Sequence, residues 1–447
     1  MKKNYYKTII LAAIVGLSYF NVWADGEIPI SSVTDLQKIG IDVAYPLSGS
    51  YYLTADIDLA GVADWLPIGA TSTTTPGNAQ FSGVFDGKGY SIKNLKIITS
   101  NVNFKGLFVR LFNAEVKDLD LVNVDIKGNT SVGGVSGAML SETMIERVSV
   151  TGNIEGYTEV GGIVGRVARN NANTGYNKIH DCYVSANIKA TSLSTEMGTA
   201  PSCAGGIVAY THSTNGNAVA KIEVARSYFT GRVESEQMTN RAGNAAGILA
   251  FYDNHEFVRM SECLVLADEI IAATPNYFFC RRGVVAANLE LLEKLYVREG
   301  ITLTYFDNLD PGFGASMPAG SVIDTLPLNT FKTAVFYTDN ENLSWDFEDV
   351  WTITEGSLPV LKRNTSGEGT NISTPNSKNL YSLSTIQGAL VINPLSEISV
   401  NIFNVTGAQV HSIQNLNTKT TIMLPKGVYI VQSLFNGLNY AEKVIVK

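Results

Sequence analysis

Apolar residues recur at fixed offsets between residues 105 and 285, and a glycine-containing turn separates one recurrence from the next. The turn is centred on Gly106, Gly134, Gly162, Gly206 and Gly247, with a weaker copy at Gly283. Its spacing is 28 residues twice, then 44, 41 and 36. A repeat of this kind predicts a solenoid whose coils stack to share one core.

Four positions in each repeat are apolar or small and lie at strand-like spacing. Period-two alternation places such residues on one face of a strand. In a stack with about 4.8 Å between coils, each position meets its counterpart above and below. The predicted buried columns are Val116, Ile145, Ile179, Val224 and Met260; Leu119, Val148, Cys182, Ser227 and Cys263; Leu121, Val150, Val184, Phe229 and Val265; and Ile126, Ile154, Ile188, Val233 and Ile270.

The sequence therefore predicts an all-β protein: a right-handed parallel β-helix followed by a small C-terminal β-sandwich. Residues 25–363 form the β-helix, with a short capped helix near residues 32–39 as part of an N-terminal cap. A Ser-, Thr-, Asn- and Gly-rich linker is predicted at 364–378. Short alternating strands with turns between them predict the sandwich at 379–447.

The first residues predict export. Lys2, Lys3 and Lys7 precede an apolar run at 8–20, and a small-residue pattern predicts cleavage of a signal peptide, residues 1–24, between Ala24 and Asp25. No later apolar stretch is long enough to cross a bilayer. The chain has 447 residues, 17% charged, with a net charge of −8, and it has no basic stripe, which argues against nucleic acid as a partner.

Charged residues alternate in sign from coil to coil beside one buried column: Asp118, Arg147, Asp181, Arg226 and Glu262. In register, each would lie next to an opposite charge; the alternative is a solvated corner without order. The four cysteines are predicted to be free, buried thiols because like positions lie two coils apart, roughly 9–10 Å, which is too far for a disulfide. A bridge between columns is the alternative. Neither cysteine nor histidine spacing suggests a metal site.

Several segments resemble the GLUG-motif repeat proteins, which are secreted bacterial surface proteins common in Bacteroidetes. They are residues 65–69 (Trp-Leu-Pro-Ile-Gly), 85–92 (Phe-Asp-Gly-Lys-Gly-Tyr-Ser-Ile), the Gly-Gly-Ile-Val-Gly turns and the pair Trp351 with 358–361 (Leu-Pro-Val-Leu). Asp86-Gly87-Lys88-Gly89 is interpreted as a tight turn, with a calcium loop as the alternative. The resemblance implies a β-helix at the cell surface but no single activity.

The end of the chain resembles the sorting domain of the type IX secretion system. The matching segments are Asn393-Pro394, 402–407, 424–431 and 443–447. The resemblance implies contact with that secretion machinery and a location outside the cell or on the outer-membrane surface of a Gram-negative bacterium. Asp324-Thr325-Leu326 also fits a Bacteroidetes O-glycosylation pattern, with Thr325 as the modified residue.

No nucleophile, zinc or phosphate-binding motif occurs in the sequence. No catalytic residue or cofactor is therefore predicted, and the chain is interpreted as a non-enzymatic, adhesin-like protein that binds a glycan or a host or matrix ligand. A polysaccharide lyase or glycoside hydrolase, and a purely structural surface or matrix component, are the alternatives. Tyr183 and Tyr228 fall on adjacent coils in an outward column and are the candidate sugar-binding pair. A loop covering them is the alternative.

Overall fold

A computed structural model gives the architecture. It describes residues 26–70, 72, 79–168, 175–191, 202–212, 220–236, 243–252, 257–272, 274–276, 279–281, 288–305, 323–338, 343–363, 381–386, 388–394, 398–404, 408–435 and 438–446. The predicted signal peptide with Ala24 and Asp25, and the predicted linker 364–378, lie outside these residues. The chain divides into two compact units, Met1–Asn364 and Thr365–Lys447.

Short strands dominate the first unit. In chain order they are β1 (Ile28–Ile30), β2 (Ser50–Leu53), β3 (Ile57–Asp58), β4 (Val84–Asp86), β5 (Ser91–Lys93), β6 (Lys96–Ile97), β7 (Phe108–Phe112), β8 (Glu115–Lys127), β9 (Thr130–Gly133), β10 (Ser136–Leu140), β11 (Met144–Gly156), β12 (Thr158–Gly161), β13 (Val164–Ala168), β14 (Asn177–His180), β15 (Tyr183–Ala190), β16 (Cys203–Gly205), β17 (Val208–His212), β18 (Lys221–Ala225), β19 (Tyr228–Ser235), β20 (Asn244–Ala246), β21 (Leu249–Tyr252), β22 (Phe257–Ser261), β23 (Leu264–Val265), β24 (Glu269–Ala272), β25 (Thr274–Asn276), β26 (Phe279–Arg281), β27 (Asn288–Glu293), β28 (Leu295–Arg298), β29 (Thr302–Tyr305) and β30 (Ile323–Leu326).

These strands form three parallel sheets. Sheet A is the largest and contains 19 of the described strands, β1 to β6, β8, β11, β14, β15, β18, β19, β22 to β24 and β27 to β30. Sheet B runs β7, β10, β13, β17, β21, β26, and sheet C runs β9, β12, β16, β20, β25. From β7 to β26 the chain contributes to the three sheets in turn, which is the predicted parallel β-helix.

The coils are in the predicted register. Ile145 pairs with Val116 on one side and Ile179 on the other, and Ile154 lies likewise between Ile126 and Ile188. All four predicted columns are buried in one continuous core. Burial of each such Val, Ile or Leu side chain is worth roughly 1.5–3 kcal/mol, so the columns are the main stabilising feature of the stack.

The glycine of the repeated turn is required by close approach between coils. A Cβ on Gly162 would lie 2.1 Å from the carbonyl oxygen of Gly206, and one on Gly206 would lie 2.1 Å from that of Gly247. Backbone cannot give way as a flexible side chain can, so any larger residue there would push two coils apart. Neither Gly162 nor Gly206 has a positive φ.

A short helix follows the first strand, and its role as an N-terminal cap of the solenoid stays a prediction. Helix α1 (Val33–Lys38) begins after Ser32, whose hydroxyl accepts a hydrogen bond from the Asp35 amide at 3.2 Å, as the sequence predicted. In the turn after β4, Lys88 Nζ lies 2.8 Å from Asp86 Oδ2, and the Lys88 amide donates to Asp86 Oδ1 at 2.7 Å. The Asp86 carboxylate thus forms both of these contacts within its own turn.

After the last coil the chain turns back along the solenoid. We call residues 327–338 and 343–363 the strap. It contains a 3-10 helix (Leu328–Lys332), helix α2 (Ala334–Thr338) and an antiparallel pair, β31 (Trp351–Thr352) and β32 (Val360–Leu361). No helix in the described parts of the chain has the length and apolar character needed to cross a bilayer.

The second unit is antiparallel, as predicted. Its strands are β33 (Tyr381–Ile386), β34 (Ala389–Pro394), β35 (Ile398–Asn404), β36 (Gln409–Leu416), β37 (Thr420–Met423), β38 (Gly427–Phe435) and β39 (Leu438–Val446). One sheet has the order β33, β34, β37 and the other β36, β35, β38, β39. Residues from both sheets, among them Ile392, Ile402 and Val431, share one apolar core.

Candidate functional site

Five successive coils each have one residue with left-handed backbone at a corner along sheet A. The residues at this corner have φ between 46° and 54°, and none is glycine: Asp118, Arg147, Asp181, Arg226 and Glu262. They are the column in which the sequence alternates in charge. A positive φ is uncommon for a non-glycine residue, so the stacked coils must hold this conformation.

The predicted charge alternation is confirmed in two bidentate pairs. Arg147 donates to both carboxylate oxygens of Asp118, at 2.7 and 2.9 Å, and Arg226 donates to those of Asp181, both at 2.8 Å. None of the four side chains is fully exposed: three are partly exposed, and Asp181 is nearly buried. Such pairs contribute on the order of 1 kcal/mol each, and they fix register more than they stabilise the fold.

Next to this corner, the two candidate sugar-binding tyrosines stack. Tyr183 pairs in register with Tyr228, and their ring centroids are 5.1 Å apart with planes 5° from parallel. The face is not open, however. Trp351 lies 6.4 Å from the Tyr183 ring and 6.2 Å from that of Tyr228, and Tyr228 is only 2% exposed. Ligand binding by this pair stays a prediction, and it would require the strap to move away.

The covering segment is the strap, in place of the corner loop that the sequence suggested. Its aromatic side chains build a second apolar cluster on the outer face of sheet A, around Tyr337, Trp345 and Trp351. The Tyr228 hydroxyl donates to the carbonyl oxygen of Pro359 at 2.8 Å. Burial raises the pKa of Tyr183 to about 12.

Acidic residues of the solenoid anchor the strap at three levels. Arg363 donates to both carboxylate oxygens of Asp120, at 2.7 and 2.5 Å. Trp351 Nε1 donates to Asp181 Oδ1 at 3.2 Å, and the Ser344 amide donates to a Glu262 carboxylate oxygen at 2.9 Å. The strap thus runs across successive coils. The solenoid residues that anchor it are far from it in sequence.

The thiols described in the structure are buried and free, as predicted: Cys182, Cys203 and Cys263. The side chain of Cys280 lies outside the described residues. Cys182 Sγ donates to the carbonyl oxygen of His180 at 3.0 Å, and Cys263 Sγ donates to that of Ser261 at 3.3 Å. Burial raises the pKa of both thiols, that of Cys263 to about 12.

The donor groups of the described residues do not fit a metal centre. No three His, Cys, Asp or Glu side chains there lie together as a metal site would need. His180 instead has Nε2 2.8 Å from Glu223 Oε1, while burial and the nearby Arg226 guanidinium lower its pKa. Thr325, the predicted glycosylation site, is exposed in β30 beside exposed Asp324, and its modification stays a prediction.

Comparison with known families gives two matches. Residues 34–152 match the family described as the M26 IgA1-specific metallo-endopeptidase N-terminal region. Residues 385–447 match the family described as a secretion system C-terminal sorting domain. The second match agrees with the predicted type IX sorting tail: the protein is exported to the cell surface or the medium, and its tail interacts with the secretion machinery. Membership of the GLUG group stays a prediction.

Two curated proteins are similar over about a third of the chain. Halomucin of Haloquadratum walsbyi is 33% identical over 151 residues, which are 32% of this chain and 2% of halomucin. The immunoglobulin A1 protease of Streptococcus sanguinis is 32% identical over 142 residues, 31% of this chain and 7% of the protease. The chain therefore spans only a small part of the length of either relative.

A solved structure has the same fold. It is a Bacteroides ovatus protein named provisionally as an immunoglobulin A1 protease, with a TM-score of 0.52 and 18% identity over 75% of this chain and 91% of that one. At this identity the likeness shows the fold alone.

These comparisons contradict the functional interpretation of the sequence. The prediction of a non-enzymatic, adhesin-like protein is wrong, because the family matched by the first coils and a named relative are IgA1-specific proteases. The prediction that the chain is not an enzyme fails for the same reason, since the matches point to a protease-like family.

Proposed function

We propose that this exported protein takes part in extracellular proteolysis of a secreted protein of the immunoglobulin A1 type, and that its β-helix holds the substrate. The observation that carries the proposal is the match of residues 34–152 to the N-terminal region of IgA1-specific metallo-endopeptidases. The relative from Streptococcus sanguinis supports it independently. Export by the sorting tail brings the protein to the compartment where such substrates occur.

The matched coils have the properties of a protein-binding surface. They are rigid, because a continuous apolar core and bidentate ion pairs fix their register. Their outer side chains include a polar ladder in which Asn94 donates to Asp58 and Asn123 donates to Asn94, both at 2.7 Å. Exposed amides and carboxylates on a rigid scaffold are suited to contact the backbone and side chains of another protein.

The proposal assigns substrate contact, and not zinc binding, to the described coils. The His-Glu-x-x-His pattern of many zinc peptidases does not occur in the 447 residues. The acidic groups of the outer face are engaged by arginines or by the strap, as in the pairs of Asp118, Asp120 and Asp181. These residues do not fit a zinc ion, so no catalytic step is derived through one.

Gene deletion with complementation tests the role. Cells that produce the full chain, cells that lack its gene and complemented cells are incubated with IgA1, with a matched set incubated with a chelator. We expect IgA1 fragments that disappear on deletion and on chelation and return on complementation, together with saturable binding of IgA1 to the purified chain. An unchanged fragment pattern after deletion, with no binding to the purified chain, would rule out the proposal.

A further inference from the structure

Sheets B and C face each other at a tight corner outside the core. We call this the BC corner; it consists of Phe104, Arg110, Ser131, Ala138, Glu159 and Arg166. A Cβ on Gly165 of sheet B would lie 2.4 Å from the backbone nitrogen of Val132 in sheet C, so the two outer faces touch at their base.

Within the BC corner, Arg110 lies on the ring of Phe104. The guanidinium carbon is 4.0 Å from the ring centroid. Phe104 has a positive φ of 59°, and its amide donates to the carbonyl oxygen of Thr130 at 2.8 Å, so the next coil holds the ring in place. Stacking occupies the face of a guanidinium and leaves its N–H donors at the edge available.

In the part of the chain that the structure describes, those edge donors have no protein partner. Among the residues that the structure describes, no carboxylate or other acceptor contacts the Arg110 guanidinium. Its position differs from that of every other arginine whose side chain is described, since each of those contacts a carboxylate. They are Arg147, Arg166, Arg226, Arg232, Arg259, Arg298 and Arg363.

The position next to Arg110 on the neighbouring coil is a small residue, Ala138, which is itself buried. In sheet B, Ala138 lies between Arg110 and Arg166, so two arginines about 9–10 Å apart at Cα flank a single methyl group. Arg166 is already bound through Nε and Nη2 to Glu159, which is fully buried and also accepts from Ser131. The charge of Arg166 is thereby compensated, and one positive charge remains uncompensated in the BC corner.

The electrostatics agree with this arrangement. Partial burial and the nearby charge of Arg166 lower the pKa of Arg110. Partial desolvation of a cation that lacks a carboxylate partner is unfavourable, and an anion bound at its edge would offset that cost. A single positive charge with a planar fork of donors matches a monoanion with two coplanar oxygens.

We propose that the BC corner is a carboxylate-binding site in which the edge of Arg110, stacked on Phe104, binds the two oxygens of an external carboxylate. The carboxylate belongs either to an acidic sugar or to an acidic side chain of a bound peptide. This assignment concerns the site itself and does not rest on the role in proteolysis.

Titration of the full chain with small probes tests it, with affinity read from ligand-observed NMR. The two probes are 3′-sialyllactose, compared with lactose, and a blocked tripeptide Gly-Glu-Gly, compared with its Gln counterpart. We expect at least one acidic probe to bind and its neutral counterpart to bind at least about tenfold more weakly. Binding of sialyllactose identifies an acidic sugar, and binding of the Glu peptide identifies an acidic side chain.

Variants locate the bound probe. Arg110→Gln should weaken binding about tenfold or more, and Arg110→Lys, which keeps the charge but loses the fork, should give an intermediate affinity. Arg232→Gln is the matched control on sheet A and should leave binding unchanged. Equal affinity for acidic and neutral probes, no binding of either acid, or the same affinity in Arg110→Gln as in the parent chain would overturn the proposal.

Discussion

The outer face of sheet A and the BC corner are built from the same coils, yet they treat aromatic and charged side chains differently. On sheet A, the stacked pair Tyr183 and Tyr228 lies under the strap, and Arg363 of the strap compensates Asp120. The strap contacts named above involve strands of sheet A and the corner residues between those strands. In the BC corner, Arg110 keeps its aromatic partner, and no carboxylate of the described residues contacts it.

The difference shows that stacking in register does not by itself decide whether a face is closed or available. Register brings like positions together on both faces. Closure of sheet A needs a further segment, which supplies indole rings and a guanidinium from more than 100 residues away. Substitutions that remove parts of that closure should lower the free energy of unfolding, most strongly where the largest buried side chain is lost.

Trp351→Ala should have the largest effect. The indole is fully buried, packs on Trp345 at 4.5 Å between centroids and donates to Asp181. Loss of a buried Trp side chain typically costs about 3–5 kcal/mol of unfolding free energy. Denaturant unfolding of the first unit measures it. Val335→Ala, at a strap side chain that is 73% exposed, is the control and should change little.

Arg363→Gln should have the next largest effect, because it leaves the Asp120 carboxylate without its bidentate donor. Hydrogen bonds to charged groups contribute about 1.5–3 kcal/mol, and partial exposure of both side chains places this pair toward the lower value. A double-mutant cycle with Asp120→Asn isolates the interaction. Additive effects of the two substitutions would contradict the pairing.

Sequence reasoning succeeded for the solenoid because its information is local and periodic. Val148, Cys182 and Ser227 were placed in one buried column from spacing alone, and the structure places them there. The strap could not be predicted in this way. Arg363 and Asp120 are 243 residues apart, and no periodicity links them.

The candidate sites show the same limit. The stack of Tyr183 on Tyr228 followed from register, but their cover did not, although the tryptophans of the strap were visible in the sequence. Arg110 was missed because its distinguishing property is the lack of a partner, and this becomes visible only when every neighbour has been placed. Its signal in the sequence is weak: an arginine in two coils, with Ala138 between them.

Tyr228→Phe should have a smaller effect. The ring stack with Tyr183 is kept, and only the hydrogen bond to the carbonyl oxygen of Pro359 is lost. The expected cost is about 1 kcal/mol, measured by denaturant unfolding. A loss as large as that of Trp351→Ala would mean that the hydroxyl, and not the rings, holds the strap in place.

Thiol modification should show the smallest effect in the native protein. Burial raises the pKa of Cys182 and Cys263, so at pH 8 both remain protonated and out of reach of a disulfide reagent. We expect little reaction in the native protein and complete reaction in denaturant, with Trp351→Ala leaving the protected state intact because both thiols lie in the core. Rapid native labelling would contradict the buried column.

Arginine-specific labelling with phenylglyoxal, read residue by residue by mass spectrometry on the native full chain, tests the contrast between the two faces most directly. The account predicts that Arg110 reacts faster than Arg147, Arg226 and Arg363, which are held by carboxylates, and that a bound acidic probe slows Arg110 alone. Equal rates at these four residues, or faster reaction at Arg363 than at Arg110, would contradict it.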